Sequence, residues 1–142
     1  MFNEKFVEKF RLKELKIKEI GTWCISLRPE QITIGSLLLS LNRDCDKLSL
    51  LTKVETKDLG VAFKTIDSLL INTFKPDKIN YLALMMIDSQ VHFHIIPRYQ
   101  KDRYFSGLKF TDEAWPYPPT LQALEIDILV LYNILGFFRE CK

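Results

Sequence analysis

The 142-residue chain is poor in histidine and cysteine, and it has no long apolar run and no excess of either charge. Each shortage removes a class of function. The three cysteines, Cys24, Cys45 and Cys141, are scattered and form no Cys-x-x-Cys pair, so neither a disulfide framework nor a thiol redox motif is expected. They read as reduced thiols, which fits a cytoplasmic protein. The most apolar stretch, Ile128–Phe138, falls short of the ~18 residues needed to span a bilayer. The N-terminal segment is too charged for a secretory leader. A net charge of +2 gives no basic surface for sequence-independent nucleic-acid binding. The Lys and Glu residues through Glu4–Glu19 read as a solvated helix face. There is no internal repeat and no low-complexity tract. The expectation is one cytoplasmic domain, residues 1–142, without membrane or nucleic-acid partners.

What is present is a large apolar fraction, 47%, in patterned segments. Phe2, Phe6, Phe10, Leu12, Leu15 and Ile20 recur at roughly helical spacing, predicting an amphipathic helix ending near Gly21. Thr22–Leu27 and Ile32–Leu41 read as strands, with Gly35 as a bulge in the second. Thr52 and Glu55 have capping-box spacing, opening a helix to about Phe74 with Leu59, Phe63, Ile66 and Leu70 on one face. Tyr81–Ile87 reads as a strand buried on both sides, Asp88-Ser89 as a tight turn, and Gln90–Ile96 as the next strand. From Arg98 to Thr120, aromatic, Gly and Pro residues predict an ordered surface excursion. Leu121–Arg139 reads as a C-terminal helix. The fold class is α+β: a small antiparallel sheet of about five strands, a central helix and additional terminal helices.

The two histidines are His92 and His94, two residues apart. On a strand, Gln90, His92 and His94 share one face, while Val91, Phe93 and Ile95 share the other. Three explanations compete. The pair could be ordinary strand histidines beside solvent. It could bind a metal, although the chain has no third histidine and Asp or Glu ligands would have to come from elsewhere. Or a neutral imidazole could attack an anionic phosphate and form a covalent intermediate.

The segment Gln90-Val91-His92-Phe93-His94-Ile95-Ile96 resembles the signature of the histidine-triad family of nucleotide hydrolases and transferases, His-x-His-x-His-x-x with apolar x. It departs from that signature only at Gln90. Pro97-Arg98-Tyr99 resembles the family's exit from that strand. Pro29, Gly35, Leu37-Leu38-Leu39 and Arg43 resemble the strand pair before its central helix. The resemblance covers roughly Thr22–Tyr99.

It implies that His92 is the nucleophile for the α-phosphate of an AMP-like or dinucleoside polyphosphate substrate, with no cofactor and no metal. His94 would donate to phosphate oxygens. Gln90 would hold the first triad position without relaying a proton. It also implies a homodimer with an extended sheet. A nucleotide-binding protein with little or no turnover is the alternative, and a metal-dependent enzyme using the His pair comes third.

Two departures stand out. Met86, Ile87 and the short Asp88-Ser89 occupy the place of a polar, Gly-containing phosphate loop. The acidic residue expected to hold a ribose is absent, with Arg28 and Glu30 the nearest charges. Arg98 is a candidate phosphate contact, and with Arg103 it could meet a polyphosphate tail. Trp115 could stack on a base, although packing of its loop is the simpler reading.

Overall fold

The computed structural model describes residues 3–122 and 126–141. Two short helices, α1 (Glu4–Lys9) and α2 (Leu12–Leu15), lead into strands β1 (Lys16–Ile20), β2 (Trp23–Leu27) and β3 (Leu37–Leu41). Helix α3 (Lys53–Ile71) is followed by β4 (Lys78–Leu82), β5 (His92–Arg98) and the small hairpin β6 (Arg103–Phe105) and β7 (Leu108–Phe110). Helix α4 (Ile128–Glu140) ends the described chain. The sheet is five-stranded and antiparallel, in the order β1-β2-β3-β5-β4. The expected α+β class, five-stranded sheet and central helix are present. No helix among the described residues is long and apolar enough to cross a membrane.

Alternation along the central strands divides the sheet into two unlike faces. Trp23, Ile25 and Leu27, together with Leu37, Leu39 and Leu41, enter the main core, where Ile66 and Leu70 of α3 and Ile134 and Phe138 of α4 pack. On the other face, Leu38 lies opposite His94 and Ser40 opposite His92. Phe6, Phe10 and Leu12 close over Leu38 there. A six-residue helix such as α1 has little stability of its own. Burial of Phe6 and Phe10, each worth ~2 kcal/mol, holds it in place.

Several boundaries differ from the sequence reading. The second half of the expected N-terminal helix is strand β1, paired with β2 across a turn at Gly21, whose φ is +57°. Phe2 lies outside the described residues. The stretch before Leu37 is a turn instead of strand. Gly35 has φ +85°, and a Cβ there would meet the Phe74 ring at 3.0 Å. The Gln31 amide closes this turn, accepting from the backbone N–H groups of Gly35 (2.8 Å) and Ser36 (3.0 Å).

The Thr52–Glu55 capping box forms as expected, but α3 stops at Ile71 instead of near Phe74. β4 lies earlier than Tyr81–Ile87 because pairing with β5 places Lys78 opposite Arg98 and Leu82 opposite His94. The chain then turns away at Met85 (φ +43°), and no hairpin forms at Asp88-Ser89. β5 begins at His92, not Gln90. The excursion after Arg98 contains the β6–β7 hairpin. α4 begins at Ile128, where Asp127 caps it by accepting from the Leu129 N–H. Residues 123–125 of the expected C-terminal helix lie outside the described residues.

Candidate active site

His92 and His94 are both buried, on the sheet face beneath α1. The His92 ring centroid is 5.0 Å from that of Phe6 and 6.0 Å from that of Phe10. Burial pushes the His92 imidazole below its ordinary pKa. Burial, then the neighbouring His92 and the Arg28 charge, push His94 down to about 4. Both rings are therefore neutral at pH 7.

The contacts fix their tautomers. The Gln90 carbonyl can only accept, so His92 Nδ1–H donates to it at 2.5 Å. That leaves a lone pair on His92 Nε2. His92 Nε2 and His94 Nε2 are 3.2 Å apart, so His94 is the donor in that pair. His94 Nδ1 then accepts from Arg28 Nε at 3.4 Å. The chain Arg28–His94–His92–Gln90 carbonyl runs in one direction. It presents an unprotonated nitrogen on His92, with an N–H donor beside it on His94.

The pair opens into a cleft of about 580 Å³, within the range of small-molecule sites. Arg28, Glu30, Lys9 and Asp88 supply its charge, and Leu84, Met86 and Ile87 line one side. The Lys9 ammonium lies 2.7 Å from the Asp88 carboxylate, tying α1 to the loop before β5. Arg28 also donates to the Glu30 carbonyl at 2.6 Å.

The predicted site residues are not all brought together. His92 and His94 share the cleft, but the Gln90 side chain points elsewhere. Its amide donates to the carbonyls of Leu41 (2.9 Å) and Arg43 (2.7 Å) and accepts from the Cys45 N–H (3.4 Å). What Gln90 offers His92 is its main-chain carbonyl, which any residue would provide, so the expected side-chain positioning of His92 is corrected.

Arg98 is corrected too. Its guanidinium is buried, paired with Asp112 (2.7 and 3.1 Å) and bonded to Asn80 and the Tyr117 carbonyl, so its donors are committed away from the cleft. Arg103 donates to the carbonyls of Phe74 and Lys75, closing the end of α3, and covers the Tyr99 ring. Trp115 is partly buried in its loop and does not line the cleft. Sequence reasoning missed Lys9, and it treated Arg28 only as a nearby charge. Strand alternation held the clue for Arg28: it follows β2 in the same phase as Ser26, which pairs with Leu38 on the histidine face. Among the described residues, no group of three or more His, Cys, Asp or Glu side chains could hold a metal ion.

No family model and no curated protein matches the sequence. Solved structures do match. A histidine triad protein from Bradyrhizobium japonicum aligns over 92% of this chain and 93% of its own, with TM-score 0.71 and 26% identity. A histidine triad protein from Sinorhizobium meliloti aligns over 100% of this chain and 96% of its own, with TM-score 0.71 and 20% identity. A hypothetical histidine triad nucleotide-binding protein from Sulfolobus tokodaii aligns over 95% of this chain and 87% of its own, with TM-score 0.70 and 15% identity.

Proposed function

Starting from a divergent histidine-triad protein with glutamine at the first triad position, we propose that the chain is a nucleotide phosphohydrolase or nucleotidyltransferase acting through His92. The observation that carries this reading is the unprotonated Nε2 of a neutral, buried His92 with the His94 N–H 3.2 Å away. The substrate is an AMP-like nucleotide carrying a second substituent on its α-phosphate, a class that includes dinucleoside polyphosphates.

In the first step the Nε2 lone pair forms a P–N bond, and the bond from phosphorus to the leaving group breaks. The leaving group departs with the electron pair and takes a proton from solvent, because His94 would become an imidazolate by giving up its one N–H and the Nδ1–H of the phosphorylated His92 faces the Gln90 carbonyl. His94 Nε2–H turns from His92 to a phosphate oxygen, and the Arg28 guanidinium balances the phosphate charge. Donors of this kind are worth about 3 kcal/mol in the transition state. The Gln90 carbonyl holds the Nδ1–H of the phosphorylated ring. Water then attacks phosphorus, the P–N electron pair returns to Nε2, and the surplus proton passes to solvent. In a transferase another acceptor replaces water.

We read residues 1–142 as one domain acting as a homodimer. Strand β4 forms one edge of the sheet, where a second copy would extend it across a two-fold axis, and sedimentation of the full chain checks this.

The test of function is AMP release from a panel of adenylated and dinucleoside polyphosphate substrates by the wild type and by His92→Ala. The reading expects release that His92→Ala eliminates. Nucleotide-dependent thermal stabilisation without release would make the protein a binder.

A further inference from the structure

The cleft has one more property: the balance of charge and apolar surface around the histidines. Lys9 is ion-paired with Asp88, whereas Arg28 donates to the Glu30 main-chain carbonyl, which leaves Arg28 as the one cleft cation outside an ion pair among the described residues. Arg98 and Arg103 are committed elsewhere. The loop leading to β5 adds no charge before Asp88. Instead it places Leu84 (42% exposed), Met86 (81%) and Ile87 (91%) on the cleft, the last two being the most exposed large apolar side chains among the described residues. Leu121, Phe10 and Pro29 extend this lining. These apolar side chains line the same cleft as His92 and His94.

We infer that the preferred substrate is a nucleoside monophosphate whose second substituent on phosphorus is apolar, an aryl or alkyl group, rather than a further chain of phosphates. This rests on the nucleotidyl-transfer reading above and narrows its leaving group. A polyphosphate tail would bring several negative charges to a cleft where, among the described residues, Arg28 is the one cation outside an ion pair, and it would displace water from its oxygens against Met86 and Ile87. An apolar group gains by covering those same side chains. Arg28 supplies enough positive charge for the single ionised oxygen of a phosphodiester. The bond changes are those of the first step: His92 Nε2 bonds to phosphorus and the aryl or alkyl oxygen leaves with its electron pair, taking a proton from solvent.

The test uses the phenyl and para-hexylphenyl esters of AMP, whose leaving phenols are almost equally acidic, with diadenosine tetraphosphate as the charged competitor. With the full wild-type chain, kcat/KM for the hexylphenyl ester should exceed that for the phenyl ester by about tenfold, carried by KM. Both esters should outrun the tetraphosphate. The double variant Met86→Lys, Ile87→Lys, at two exposed positions that the fold does not need, should erase the chain-length effect and raise kcat/KM for the tetraphosphate.

Equal values for the two esters, or a wild-type preference for the tetraphosphate, would overturn the inference. So would a double variant that keeps the chain-length effect while a dimer dissociates, because the apolar loop would then serve a second copy. Absence of turnover and of His92 modification with every compound would instead overturn the nucleotidyl-transfer reading itself.

Discussion

The two faces of the sheet are built on opposite principles. The face toward α3 and α4 is almost wholly apolar, with Trp23, Leu39, Ile66 and Phe138 essentially removed from solvent. The face beneath α1 carries two desolvated imidazoles, and the hydroxyls of Ser26 and Ser40 are buried there without a hydrogen-bond partner among the described residues. Unpartnered buried hydroxyls and desolvated rings lower stability. The first face supplies the free energy of folding. The second holds reactive groups away from water at some cost to it, as functional sites commonly do.

That contrast can be broken most sharply by one substitution on each face. Phe138→Ala should cost about 3–5 kcal/mol in chemical denaturation. The variant should keep its His92 reactivity under conditions where it remains folded. His92→Ala should cost less than about 2 kcal/mol and eliminate AMP release. A His92→Ala chain as unstable as Phe138→Ala would mean that the histidine is simply part of the core.

Gln90→Ala separates the two roles within the triad segment itself. Three main-chain groups of the Leu41–Cys45 loop lose their partner, so stability should fall by about 2 kcal/mol. Release of AMP per folded molecule should stay within about threefold, because the carbonyl that orients His92 survives. A loss of turnover without a loss of stability would restore a direct role for the glutamine side chain.

The smallest expected effect is in the pH dependence of stability. The folded state holds His94 down at about 4, against about 6.5 when unfolded, and it lowers His92 as well. The unfolded chain therefore binds more protons as pH falls from 6.5 toward 4, and stability drops across that window. The loss should be on the order of 1–2 kcal/mol after solvent screening. His94→Gln should flatten it. Glu55, held down at about 2 by Arg43, contributes stability that is lost only as pH falls from 4.5 toward 2, so Glu55→Gln should flatten the lower window instead. Urea midpoints measured from pH 7 to 2 distinguish the two.

The same contrast explains what the sequence made legible. Residues with one dominant local determinant were readable: Thr52 and Glu55 form their capping box, Trp23–Leu27 alternates as a strand, and His92 and His94 share a face. Residues decided by distant partners were not. Lys16–Ile20 carries a pattern compatible with helix, and only pairing with β2 makes it a strand. Leu84, Met86 and Ile87 are apolar, which read as burial, yet they line a cleft. Gln90 and Arg98 are polar and stand beside the motif, which read as chemistry. Their partners, the Leu41–Cys45 loop and Asp112 beyond the β6–β7 hairpin, lie outside the motif and turn both into structural ties.

The central claim is that His92 Nε2 attacks phosphorus. The most direct measurement is peptide mass mapping after the full chain meets a slowly hydrolysed AMP ester and is quenched at high pH. A single added nucleotidyl group is expected on His92, present in Gln90→Ala and absent in His92→Ala. Turnover with no adduct on His92, or an adduct on His94 instead, would contradict it.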